Sequence, residues 1–234
     1  MLAASTGAGA DEADAKRLLK GMSDYLSAQN SLSVTFDSDL EVVTRDEQRL
    51  ALLASGAMTL NRPDKVHATR TGGFADVEIL FDGKTLTILA KNANVYAQAD
   101  AAGPIANLIG ELRDKYQTPV PASDLLLSNA YDVLVEDVVD IKDLGSGVIG
   151  GMECDHLAFR TEEVDWQIWI AQGDRPYPCR YTITSKQVTG GPQYSVQFRD
   201  WKAGDEVAAA DFSFNNPTNA KKVEMNDIAE ARMG

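Results

Sequence analysis

Alternation of apolar and polar residues with a period of two, repeated in stretch after stretch, is the feature that most limits what this chain can become. In SVTFDSDLEVV, Val34, Phe36, Leu40 and Val42 share one face, while Thr35, Asp37, Asp39 and Glu41 share the other. Side chains of an extended strand point alternately to its two faces, so the pattern specifies a half-buried antiparallel strand. The same reading recurs in LLASGAMTLN, in PDKVHATRT after the breaker Pro63, in ADVEILF and in KTLTILAK. Between the last two stands Asp82-Gly83, a hairpin signal because both residues tolerate positive φ. By Ala99 the chain has supplied about six consecutive strands.

Helical periods interrupt this run at defined places. Residues 10–29 put Ala13, Arg17, Leu18, Met22, Tyr25 and Leu26 on one face, which predicts an N-terminal amphipathic helix. After Gly103, PIANLIGELRDKYQ places Ile105, Leu108, Ile109, Leu112 and Tyr116 together, with Pro104 suited to the first helical position. TPVPASDLLLSNAYDVL then predicts a shorter helix with Leu126, Leu127, Ala130 and Val133 inward. Beyond Gly145 the period of two returns in GVIGGMECDHLAFR, VDWQIWIAQ, PCRYTITSK and QYSVQFRDW, four strands with turns at Glu162-Glu163, GDRPYP and TGGP. No Pro/Gly/Ser-rich linker separates the two strand blocks. The expected fold is therefore α+β: one domain over residues 1–234, in which about ten antiparallel strands curl into an incomplete barrel. One helix is N-terminal, and the helices at 104–117 and 123–134 lie across the sheet as a lid. Residues 10–223 would form the ordered body, with 1–9 and 224–234 flexible.

Composition removes several function classes. At 234 residues and 44% hydrophobic content the chain can bury a sizeable core. The net charge of −13 is spread along the sequence with no Lys/Arg cluster to track a phosphate backbone, so no nucleic-acid partner is expected. No apolar run is long enough to span a bilayer as a helix. The start, MLAASTGAGADEADAKRLLK, lacks the basic and apolar regions of a signal peptide, which fits either a cytosolic protein or an exported chain whose signal has been removed.

The layout resembles that of the periplasmic lipoprotein-carrier superfamily, the LolA/LolB-like half-barrels: an N-terminal helix, a strand run, an inserted helical segment, then a closing strand block ending in DFSFNNPTNAKKVE, with Phe212 and Phe214 ahead of Pro217. More narrowly, LFDGKTLTILAKNANVYA, PASDLL and GMECDHLAFRTEEVDWQIWIAQGDRPYPCRYTIT are similar to a family of predicted periplasmic proteins with no assigned function. The resemblance covers about Ala10 to Val223. It implies export to the periplasm and an apolar cavity under helices.

The chemistry-bearing residues each admit a plainer role. Cys154 and His156 share a strand face about 7 Å apart at the strand rise, too far for a nucleophile and its base to hydrogen-bond. No helix N-terminus or Gly-rich elbow adjoins Cys154 to activate it. A metal site from Cys154, Asp155, His156 and Cys179 lacks the usual CxxC or HxxxH spacing. His156 and His67 read as polar side chains satisfied within the sheet. Cys154 and Cys179 lie 25 positions apart with one complete strand between them. In a flat sheet that puts them nearly 10 Å apart, beyond the reach of a disulfide, whereas a bulge at the strand end would bring them together. A disulfide and two buried thiols both stay open. Trp166 reads as core, Trp169 and Trp201 as contact residues or isolated exposed rings. Glu162-Glu163 and the acidic run of residues 136–143 read as solvent-facing, without calcium-loop spacing.

The expectation is a non-enzymatic periplasmic binding or carrier protein without a cofactor or a metal. A lipid or other hydrophobic molecule would occupy a concave face lined by Phe36, Leu40, Met58, Val66, Ile79, Leu86, Ile88, Leu108, Leu112, Leu126, Trp166 and Ile168. The alternative is an interaction or sensor module that regulates an envelope protein partner.

Overall fold

The computed structural model describes residues 8–73, 75–116 and 120–228. Twelve strands form one sheet in the order β12-β6-β5-β4-β3-β2-β1-β11-β10-β9-β8-β7. In chain order these are β1 Ser31–Val43, β2 Arg49–Asn61, β3 Lys65–Gly72, β4 Asp76–Phe81, β5 Thr85–Ala90, β6 Val95–Asp100, β7 Asp140–Ile149, β8 Met152–Arg160, β9 Val164–Ala171, β10 Pro178–Ser185, β11 Gln193–Ala203 and β12 Lys221–Lys222. The helices are α1 Ala8–Ser27, α2 Ile105–Gly110 and α3 Ala130–Val135, with a π-helical turn at Glu111–Lys115 and a 3-10 turn at Ser123–Leu126. Ten strands were expected. The additional two are β7, whose half-buried positions Ile141, Asp143, Gly147 and Ile149 include a charge and a glycine so that its sequence shows no apolar alternation, and β12, which is two residues long. The expected flexible ends fall largely outside the described residues, as do Gln117 and the opening Ala3.

The chain divides into two compact units, the first made of α1, Asp39–Ala51 and Asp124–Phe198, the second of Gln29–Ser38, Leu52–Ser123 and the chain from Arg199 onward. In the first unit β7 to β10 and the start of β11 form a meander, with Leu157, Ile168, Tyr181 and Val196 in one cross-strand row. All four are buried. The helix α1 packs on β7, β9 and α3. It does so through Ala15, Leu19, Met22 and Leu26, each at most 1% exposed. This corrects the expected face: Ala13 and Arg17 are exposed, and the stripe runs i, i+4, i+7, i+11 from Ala15. Ser23 is buried in that stripe because its Oγ accepts a hydrogen bond from the Tyr131 N–H at 3.0 Å. Within the 3-10 turn Leu125 is buried rather than Leu126, and in α3 Ala130 and Leu134 are buried rather than Val133.

In the second unit β2 to β6 form a continuous antiparallel meander. The Asp82-Gly83 turn divides its work between the two residues. Gly83 takes φ +96°, while Asp82 uses its carboxylate to accept hydrogen bonds from the Lys84 and Thr85 N–H groups at 2.9 and 2.8 Å. After β11 the chain returns to this unit, where Phe214 packs on Tyr96 with ring centroids 4.7 Å apart and β12 pairs in parallel with β6.

Candidate functional site

Strand register gathers six of the expected ligand-lining residues on one face of the second unit. Met58, Ala68, Ile79, Ile88 and Ala97 stand opposite one another across five strands, and Leu60, Val66, Phe81, Leu86 and Ala99 make the next row. Positions two apart on a strand share a face, so both rows point the same way. Phe36 joins them at Gly56, two residues before Met58. A Cβ at Gly56 would fall onto the Phe36 ring and the Thr69 carbonyl oxygen, so glycine is what lets the ring lie against β2.

Burial is graded across this face. Leu86 and Ile88 on β5 are 0% exposed, whereas Phe36, Met58 and Ile79 are only half-buried. Ile105, Leu108 and Ile109 of α2 and Leu112 of the π-turn are also buried. Their spacing of i, i+3, i+4, i+7 makes one apolar helical stripe. The start of α2 is fixed by a hydrogen bond from the Ile105 N–H to the Pro63 carbonyl at 2.9 Å. The Glu111 Oε2, at the switch from α to π, is buried with no hydrogen-bond partner among the described residues.

The remaining expected liners belong to the first unit. Leu40 is 38% exposed near the end of β1, and Leu126 is half-buried. Trp166 and Ile168 are buried, Trp166 stacking on Phe159 with centroids 3.9 Å apart and meeting the Tyr181 ring edge-on at 5.7 Å. Burial among these rings pushes the Tyr181 hydroxyl pKa well up. Clefts of ≈ 360 and ≈ 320 Å³ flank α1, the first reaching Arg17, Leu18, Asp155 and Ile170, the second Lys16, Tyr131 and Val139. None of the twelve expected liners borders them.

The polar candidates resolve into local pairs. His156 bonds to Gln167 Oε1 at 2.9 Å and stacks on Trp169 at 4.1 Å, so its ring is engaged away from Cys154. Cys154 and Cys179 are buried thiols whose Sγ atoms lie 2.7 Å apart. Burial raises the pKa of both; the contact with Cys179 partly offsets it at Cys154, while the contact with Cys154 adds to it at Cys179. A thiol held protonated and without a base is a poor nucleophile. On the opposite face of the second unit, His67 and Lys91 both meet Glu78, at 2.7 and 3.1 Å. Partial burial works to raise the Glu78 pKa, but these two hydrogen-bonded partners outweigh it and hold the carboxyl below its ordinary range. Sequence reasoning did not single out this trio. Its residues alternate within strands like any others, and only cross-strand register unites them.

An α+β protein whose strands form one open, mainly antiparallel sheet is the class this architecture defines. The chain belongs to the family described as predicted periplasmic protein (DUF2092), whose pattern matches residues 15–226, and it is a periplasmic protein on that ground. No curated protein matches the sequence. Among solved structures, LprF from Mycobacterium bovis is similar at TM-score 0.52 and 12% identity, over 89% of this chain and 100% of that one. An uncharacterized conserved protein from Thermus thermophilus is similar at TM-score 0.51 and 13% identity, covering 90% and 99%. At such identities the likeness concerns fold. A LolA superfamily protein from Nitrosomonas europaea aligns at TM-score 0.39 and 13% identity, over 82% and 94%. No helix among the described residues is long and apolar enough to cross a membrane.

Proposed function

We propose that this periplasmic protein is a non-enzymatic binding or carrier protein for a hydrophobic molecule, held against the β2–β5 face of the second unit. The observation that carries this reading is the graded burial of that face: Leu86 and Ile88 are sealed while Phe36, Met58 and Ile79, in line with them, stay partly open. A ligand enters from the open side and replaces the short α2 segment as the cover.

Energetics define the ligand class. Exposing the four buried side chains of α2 and the π-turn costs roughly 6–12 kcal/mol at about 1.5–3 kcal/mol each. At about 0.8 kcal/mol per buried methylene, a ligand offsets this with roughly 8 to 15 methylenes. That corresponds to an acyl chain, not a small ring. The unpartnered Glu111 carboxylate oxygen lowers the cost of release, because leaving it buried is itself unfavourable.

Native mass spectrometry of protein purified from the periplasm, before and after delipidation, tests the reading. It expects a chain-bearing lipid in the first sample and rebinding of long-chain fatty acid or phospholipid by the second. Empty protein that takes up neither contradicts it.

A second reading, a module that docks an envelope protein, draws on β7. This strand ends the sheet, and Val139, Leu144, Val148 and Met152 on or beside it are 67%, 48%, 69% and 41% exposed. Unpaired edges with apolar side chains invite strand addition. In vivo cross-linking from β7 separates the readings: a stoichiometric protein adduct with no bound lipid favours the module.

A further inference from the structure

We propose that Cys154 and Cys179 form a disulfide that joins β8 to β10 past the end of β9. These are the only two cysteines in the chain, so no competing pairing exists within it. The obstacle is β9, which separates them. Across two strand spacings of about 4.8 Å their Cα atoms would stand nearly 10 Å apart, against the 4.4–6.8 Å or so that a disulfide tolerates.

Two local features remove the obstacle. The register between β10 and β9 shifts between Pro178 and Arg180, which places Cys179 in a bulge at the very start of its strand. Opposite Cys154, β9 presents Ala171, its last residue, whose side chain is a single methyl group. The Ala171 N–H already donates to the Tyr177 carbonyl at 2.9 Å, so the incoming chain is drawn over the end of β9. The outcome is contact between the two Sγ atoms at 2.7 Å. Cys154, Ala171 and Cys179 are 0%, 4% and 4% exposed, and Ile149, Trp169 and Tyr177 close around them.

Location supplies the chemistry, because the periplasm is an oxidising compartment. The oxidant is an exchangeable disulfide, such as that of a thiol oxidoreductase. One cysteine thiolate attacks it, forming a mixed disulfide and releasing one thiol. The second cysteine sulfur then displaces the other oxidant sulfur. Both S–H bonds are lost, one S–S bond forms, and the oxidant leaves as two thiols carrying the two protons and two electrons. The sealed cluster admits no oxidant once closed, so the exchange precedes docking of the 172–177 turn. The bond then fixes that turn, from which Arg175 Nε donates to the Tyr25 hydroxyl of α1 at 3.1 Å.

The test uses protein exported to the periplasm, denatured in urea without reductant and treated with a maleimide. The bonded chain takes no label, weighs two hydrogens less than the dithiol, and gives one cross-linked peptide containing Cys154 and Cys179. After reduction it takes two labels. Reduction of the wild type, or the double variant Cys154→Ala/Cys179→Ala, raises the unfolded-to-folded ratio on the order of a hundredfold, from closure of this loop in the unfolded chain. If the double variant fails to fold, the oxidised and reduced wild type supply that comparison. Two labels without reductant, or protection from label without the loss of two hydrogens, overturns the bond. A bonded chain whose urea midpoint ignores reduction overturns its role as a staple.

Discussion

The two units carry helices of very different length. In the first, α1 is 20 residues long and brings a continuous stripe of Ala15, Leu19, Met22 and Leu26, bonded through Ser23 to Tyr131 and through Tyr25 to Arg175. In the second, α2 has 6 residues and passes into a π-turn of 5. Isolated helices much shorter than about 12–15 residues are marginal in water, and π-turns recur at functional sites. The long helix packs on β7 and β9 and is part of the core. On the reading proposed above, the short one is the cover that a ligand replaces.

The largest effect expected from breaking this contrast lies in α1. Leu19→Ala should cost about 2–5 kcal/mol in urea unfolding, since a fully buried leucine leaves a cavity, with no gain in ligand affinity. Next comes the β2–β5 face of the second unit. Gly56→Ala should cost about 1–3 kcal/mol, because the new methyl must displace the Phe36 ring or the β3 backbone, and it should weaken lipid uptake in the same assay. Leu108→Ala should cost about 2 kcal/mol or less and raise binding of a hydrophobic dye, because the cover loosens without unfolding the unit. Equal losses at Leu19 and Leu108 would erase the distinction between the two helices.

The smallest effect is electrostatic. The folded-state pKa of Glu78 is depressed, so its contribution is fully present above the unfolded value of about 4.3 and fades as pH falls through the folded value. Glu78→Gln should therefore cost about 1 kcal/mol at pH 7, a gap that closes below about pH 4. A gap independent of pH would mean that the His67 and Lys91 contacts contribute nothing.

Most of the sheet was legible because a strand with one buried face must alternate. The strand β7 was not, since its half-buried side carries Asp143 and Gly147 beside Ile141 and Ile149. The rows Met58–Ala97 and Leu60–Ala99 were legible as alternation, but whether such a row lines a cavity or fills a core leaves the sequence unchanged. Only the shortness of α2 and the graded burial beside it bear on that choice. Leu40 keeps the alternation of β1 but lies near the strand end and is 38% exposed, a difference that alternation does not encode. In α1, adjacent Leu18 and Leu19 made two overlapping faces available, and packing on β7 and β9 selected the one with Leu19. The approach of Cys154 to Cys179 depends on a one-residue bulge, which strand periodicity does not encode.

Hydrogen–deuterium exchange, measured with and without a long-chain fatty acid or phospholipid, tests the central claim most directly. The account predicts that amides of residues 105–115 exchange faster than those of α1 in the free protein and change their protection when lipid is added, while α1 stays as it was. Unchanged exchange at 105–115 in the presence of saturating lipid, or a response confined to α1, would contradict it.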